Sequence, residues 1–253
     1  MGLTLFSQFI FSCQQRNEQD ISKGKDVDSV EIQDQNTKQK YIDWPDPKSV
    51  DEFFKLYALE HDNHRVLLKT RSGEIEIELF SDTPLHRASF LFNISRGLYD
   101  KTIFYRVVPE FMIQGGNSDN DKTIQAREQA GAYYIQSETN SNQIHGRGAD
   151  AMAMSYENNP EMKSTQYSFY IVIGQPFTEK GLAVTEDEYD MKVPQENRKT
   201  YITIGGAPHL DGKHTVFGKV VRGMEVVESI AAEKRDSGDW PVNDVVIEYE
   251  ILK

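Results

Sequence analysis

An arginine, a phenylalanine, a methionine and a glutamine fall within nine residues in Phe104-Tyr105-Arg106-Val107-Val108-Pro109-Glu110-Phe111-Met112-Ile113-Gln114-Gly115-Gly116-Asn117. A guanidinium stays charged and donates hydrogen bonds without giving up a proton, so its chemistry would be electrostatic. On an alternating strand Tyr105 and Arg106 face opposite sides, which lets the guanidinium enter a groove while its neighbour packs. Two further stretches stand out: Tyr167-Ser168-Phe169-Tyr170-Ile171-Val172 and Pro208-His209-Leu210-Asp211-Gly212-Lys213-His214-Thr215-Val216-Phe217-Gly218. Taken singly, each also reads as a barrel strand with turns.

Other motifs lead nowhere. Gly146-Arg147-Gly148-Ala149-Asp150-Ala151 satisfies a loose dinucleotide fingerprint, but the polar text before it is no buried strand. His61 and His64 sit beside Glu60 and Asp62 as on a solvated helix end, and the six histidines form no metal-ligand set. The sequon at Asn93 falls inside an expected helix.

The elements that would position these residues are mostly strands. Arg65 to Thr70 and Glu74 to Phe80 flank a turn at Gly73, and the second run alternates acid with aliphatic, as in a half-buried hairpin. Strand-like runs recur at 104–108, 168–173, 216–221 and 245–252. Asp82-Thr83-Pro84 supplies a cap and a first-turn proline for a helix that ends at Gly97, and a second main helix spans 224–232. Ser49 with Glu52 forms a capping-box pattern ahead of Val50, Phe53, Phe54 and Tyr57, which predicts a short helix within 49–62. Residues 175–204 break the strand rhythm. Thr185 with Glu188 and then Pro194 predict a helical insertion there. Many strands with two main helices point to a mainly β barrel or sandwich.

Composition narrows the function. The chain has 253 residues with 38% hydrophobic, enough for one large domain or a smaller one with extensions. Its net charge of −12 repels phosphate backbones, which argues against nucleic acid as the main partner. A single cysteine excludes an intramolecular disulfide and a cysteine-built zinc site.

Together, in their order and spacing, FYRVVPEFMIQGGN and HLDGKHTVFGKVVRGMEVVE resemble the cyclophilin family of peptidyl-prolyl cis–trans isomerases, over about Val66 to Leu252. The resemblance implies a closed eight-stranded antiparallel barrel capped by two helices, within a domain at 63–253 that carries the 175–204 insertion. It places the catalytic arginine on Arg106 and a backbone-binding amide on Gln114. The proline pocket falls on Phe111, Met112, Tyr170, Leu210 and His214, with Ala153 lining the neighbouring groove. It implies no cofactor and no metal, a monomer, and as partners proline-containing unfolded or flexible polypeptides, whose folding it would assist. A binding module that docks such segments without turnover is the alternative. Three positions depart from the family: Tyr170 stands for phenylalanine, Ser168 for glutamine, and His209 for the tryptophan that contacts cyclosporin in the best-known members.

The amino terminus carries a separate signal. Residues 1–12 are uncharged and largely apolar, Cys13 follows at once, and the chain then turns polar. This boundary resembles the lipobox of bacterial lipoproteins, although the usual basic residues before it are missing. The resemblance implies lipid attachment at Cys13, a signal-like segment at 1–13, a polar tether at 14–48, and a domain held at a membrane of the bacterial cell envelope, facing periplasm or exterior.

Overall fold

A computed structural model of the protein describes residues 44–253. The signal-like segment, Cys13 and the tether as far as residue 43 lie outside the described residues. In chain order the elements are α1 (Val50–Glu60), β1 (Arg65–Thr70), β2 (Gly73–Leu79), α2 (Pro84–Ser95), β3 (Thr102–Val108), β4 (Met112–Asn117), α3 (Asp121–Ala130) and β5 (Ala149–Met154). There follow β6 (Ser164–Val172), α4 (Glu179–Glu188), α5 (Gln195–Thr203), a 3₁₀ turn (Pro208–Leu210), β7 (Val216–Arg222), α6 (Met224–Ala231) and β8 (Val245–Leu252).

The eight strands pair in the order β1-β2-β7-β5-β6-β4-β3-β8, and β8 closes on β1. Every pairing is antiparallel. Closure removes the unpaired edges on which an open sheet would aggregate. Alternation then sorts the side chains. Ile75, Ile77 and Leu79 of β2 point inward, with Phe104, Ile113, Met152, Phe169, Ile171 and Phe217, into one core. Helix α2 covers β6, β7 and β8, while α6 covers β2, β3 and β4. This is the expected barrel with two capping helices.

Helix α1 belongs to the same core. Phe53, Phe54 and Tyr57 set their rings edge-on to Phe92 of α2 at 5.3, 5.8 and 5.4 Å. Helices α4 and α5 form the insertion, with a small core of Leu182, Val193 and Tyr201. Its two ends meet: Gly206 bridges both Gln175 and Gly146. A Cβ on Gly206 would lie 2.2 Å from the His145 carbonyl oxygen, so only glycine lets the returning chain approach so closely.

Three expected caps are corrected. Neither Ser49 nor Thr83 bonds its helix with its side chain. At α2 the Glu138 carboxylate, from a distant loop, takes the Leu85 and His86 N–H groups at 2.9 Å each, an arrangement favoured by the positive end of the helix. Thr185 lies inside α4, which starts six residues earlier with Thr178 capping Gly181 at 3.0 Å. Helix α3 was not expected at all. Asn120 caps it and Gly131 ends it, but it buries only Thr123 and Ala130, so no apolar face announces it.

Asp150 is the exception within the barrel. It faces the interior beside Met152, fully buried, and neither carboxyl oxygen has a partner among the described residues. Burial pushes its pKa well above the ordinary 3.8, so folding favours the neutral acid. The unfolded chain ionises it from about pH 4, which favours unfolding progressively as pH rises. Asp150→Leu is therefore expected to raise the unfolding free energy at pH 7 by about 1–3 kcal/mol. In urea titrations the gap between variant and parent should widen from pH 4 to pH 7. A gap that stays constant or narrows would contradict this account.

Candidate active site

The outer face of the barrel carries the site, and one irregularity aims it. Phe104 pairs with Gly115, yet Arg106 rather than Tyr105 pairs with the next residue, Gln114. Tyr105 is thus an extra residue in β3, a bulge that resets the alternation. The expectation that Tyr105 and Arg106 face opposite sides is corrected on this ground. The Tyr105 hydroxyl meets the Gln114 amide at the same Ser168 Oγ, at 2.5 and 2.9 Å, and the Arg106 side chain, opposite Gln114, is part-exposed on that face.

From Arg106 a row of paired positions crosses four more strands. Arg106 lies opposite Gln114, Gln114 opposite Tyr170, Tyr170 opposite Ala151, and Ala151 opposite Val216. One register step along, Val108, Met112 and Val172 align the same way. Met112, Tyr170 and Leu210 form one buried apolar cluster with Ala151, Val172 and Val216, and Phe111 and Ala153 pack against its open side. The fold therefore gathers Phe111, Met112, Ala153, Tyr170 and Leu210, which come from four separate stretches of sequence. Leu210 arrives on the 3₁₀ turn, and His214 follows it.

Arg106 stands at one end of this apolar wall. Its side chain is 43% exposed, so an incoming chain can reach it, and its Nε–H donates to Asp239 Oδ2 at 3.4 Å. Asp239 is fixed in turn by Arg235 at 3.3 Å, and its carbonyl accepts the Val107 N–H at 2.9 Å. Nothing local in the sequence signals this partner, which lies 133 residues downstream.

His214 stands at the other end. Its ring sits edge-on to Tyr170 at 5.6 Å. Nδ1 donates to the Met152 carbonyl at 3.3 Å, and Nε2 accepts from the Tyr156 hydroxyl at 2.7 Å. Burial pushes its pKa down to about 4, so the imidazole is neutral at physiological pH.

The departures from the expected pattern each have partners. Ser168 ties Gln114 to Tyr105. The hydroxyl of Tyr170 bonds His145 Nε2 at 3.0 Å. His209 is stacked between Phe111, at 5.7 Å, and Tyr189, at 4.6 Å. Tyr189 follows α4, so the insertion touches the rim of the pocket. Beyond Ser168 the surface opens into a groove of about 480 Å³ lined by Tyr105, Tyr134, Tyr167 and Trp240 among others, which gives an extended chain room to continue.

Residues 65–250 match the family described as cyclophilin type peptidyl-prolyl cis-trans isomerase/CLD. The chain belongs to this family. A Staphylococcus haemolyticus relative, named "Putative peptidyl-prolyl cis-trans isomerase", is 33% identical over 185 residues, 73% of this chain and 88% of that protein. A Streptococcus pyogenes relative, named "Putative bifunctional phosphatase/peptidyl-prolyl cis-trans isomerase", is 33% identical over 207 residues; the match covers 79% of this chain and 41% of the longer protein. The fold is shared with a cyclophilin type isomerase of Cryptosporidium parvum at 21% identity and a TM-score of 0.55, covering 76% of this chain and 98% of that one. A second crystal structure of that isomerase was determined in the presence of the dipeptide Ala-Pro.

With its pKa pushed down to about 4, His214 does not change charge near pH 6.5. The kcat/KM on a proline peptide is expected to be flat from about pH 5.5 to 8 as far as His214 is concerned. An inflection near pH 6.5 that disappears in His214→Gln would contradict the neutral assignment.

Proposed function

We propose that the outer-face row binds the Xaa-Pro segment of a flexible or unfolded polypeptide and accelerates rotation about the prolyl bond, with Arg106 as the catalytic donor. The observation that carries this reading is the alignment of Arg106 and Gln114 in one register row beside the cluster of Met112, Tyr170 and Leu210. The Ala-Pro dipeptide present with the Cryptosporidium isomerase supports a proline-containing ligand.

The chemistry follows from amide resonance. It sets a barrier of roughly 18–20 kcal/mol, so isomerisation takes tens of seconds unaided. At the twisted transition state the prolyl nitrogen becomes pyramidal and regains a lone pair that the planar ground state lacks. A guanidinium hydrogen bond to that lone pair stabilises the transition state alone, which is what raises kcat. Phe111, Met112, Tyr170 and Leu210 hold the proline ring and exclude water, while His214, neutral and bonded through both nitrogens, serves as a wall. Gln114, oriented by Ser168, holds the substrate backbone so that rotation is confined to one bond. Ala153 lines the groove taken by the preceding residue. No proton is transferred and no covalent intermediate forms.

We further propose that Cys13 carries a lipid and that residues 14–48 tether the isomerase to a membrane of the bacterial cell envelope, where it assists the folding of proteins outside the cytoplasm. The support is the position of the sole cysteine at an apolar-to-polar boundary.

Two outcomes check these readings. Arg106→Ala is expected to lower kcat/KM by about 10²–10³, the loss typical of one preorganised donor, with the fold intact because the side chain is half exposed. Activity within about twofold of the parent removes Arg106 from the role. Cys13→Ser is expected to move the protein from the membrane fraction to the soluble one with isomerase activity unchanged. A parent protein that is already soluble with residues 1–12 intact ends the lipoprotein proposal.

A further inference from the structure

The insertion reaches the proline pocket by a buried polar relay as well as by the Tyr189 stack. Tyr201 of α5 donates its hydroxyl to Asp211 Oδ2 at 2.5 Å. Asp211 Oδ1 accepts both the backbone N–H of His145, at 2.8 Å, and its Nδ1–H, at 2.9 Å. With Nδ1–H committed to the carboxylate, Nε2 is left as the acceptor for the Tyr170 hydroxyl at 3.0 Å. Tyr201 and His145 are fully buried and Tyr170 is nearly so. No water can readily stand in for a lost member, so each bond determines the next.

We propose that Tyr201 is a positioning residue for the isomerase pocket, acting on Tyr170 through Asp211 and His145. The proposal rests on the reading of Tyr170 as a pocket wall. Two features give the relay leverage there. Asp211 is the residue after Leu210 and ends the 3₁₀ turn that carries it, so the same carboxylate that orients His145 also anchors Leu210. The Tyr170 ring lies nearly parallel to His145, at 6.1 Å and 13°, and edge-on to His214, so its hydroxyl bond fixes where the ring stands between two imidazoles. A phenylalanine at 170 would pack in the same space but would leave His145 Nε2 unpaired. The hydroxyl at 170, the acid at 211 and the tyrosine supplied by the insertion therefore form one device that sets two faces of the proline pocket.

The experiment is a double-mutant cycle in the full chain, with steady-state kinetics on a short Xaa-Pro peptide and thermal unfolding of each variant. Tyr201→Phe removes one hydroxyl. It is expected to raise KM by about 2–10-fold, the effect of one buried hydrogen bond, while kcat stays within about twofold. Tyr170→Phe should act in the same way, and the double variant should be no worse than the more affected single one, because both changes cut the same relay. Multiplying effects, or a lower unfolding temperature with KM unchanged in Tyr201→Phe, would show that Tyr201 only anchors the insertion, and would overturn the proposal. Should Tyr201→Phe fail to fold, Asp211→Asn, which keeps the shape but replaces the charged acceptor facing Tyr201, is expected to raise KM by a similar factor, and an unchanged KM overturns the proposal equally. Tyr170→Ala separates the underlying reading: if its KM equals that of the parent, the pocket assignment itself fails, whatever Tyr201 does.

Discussion

One extra residue in β3 decides which face of the barrel Arg106 reaches. Without the bulge at Tyr105, strict alternation would carry Arg106 to the opposite face from its neighbour, and the register row that joins it to Gln114 and Tyr170 would not exist. The bulge keeps Phe104 and Val107 in the core, so the barrel closes as usual, yet it turns a charged side chain outward beside an apolar cluster. The rest of the site depends on that placement. Asp239 steadies the guanidinium, Ser168 ties the bulge residue Tyr105 to Gln114, and the 3₁₀ turn brings Leu210 over the end of the row.

A site of this kind works by holding dipoles and charges still. Several of its side chains are accordingly held by contacts inside the protein. His214 uses both nitrogens, Tyr170 leans on His145, and His209 lies between two aromatic rings. The insertion contributes to this stiffness without disturbing the barrel, because its ends meet at Gly206 and its helices bury their own small core. Asp150 shows the opposite case: an acid with no hydrogen-bond partner among the described residues, whose burial favours the neutral form.

Much of this was legible in the sequence, and the limits are physical. The alternating acids and aliphatics of β2 and the Gly73 turn read directly as a hairpin, because strand period and turn chemistry are local. The contiguous stretch around Arg106 and the turn at 208–218 carried the family resemblance, and the structure brings Phe111, Met112, Ala153, Tyr170 and Leu210 together. Helix α3 escaped because it buries almost nothing, and the cap of α2 escaped because its acceptor, Glu138, comes from far along the chain. Asp239, Tyr156 and the relay through His145 were hidden for the same reason: their contacts are made by topology. Only Tyr170 hinted at one of them, since a hydroxyl added to a buried aromatic ring must find a partner.

The central claim is that this outer-face row lowers the barrier to prolyl rotation rather than merely gripping proline. Exchange spectroscopy on a short Xaa-Pro peptide, with a trace of the full-length protein, tests it most directly, because cis and trans signals exchange too slowly on their own to connect. The account predicts exchange cross-peaks that grow with protein concentration while the cis-to-trans ratio of the free peptide stays constant. Peptide signals that shift on binding while cis and trans remain unconnected would contradict it.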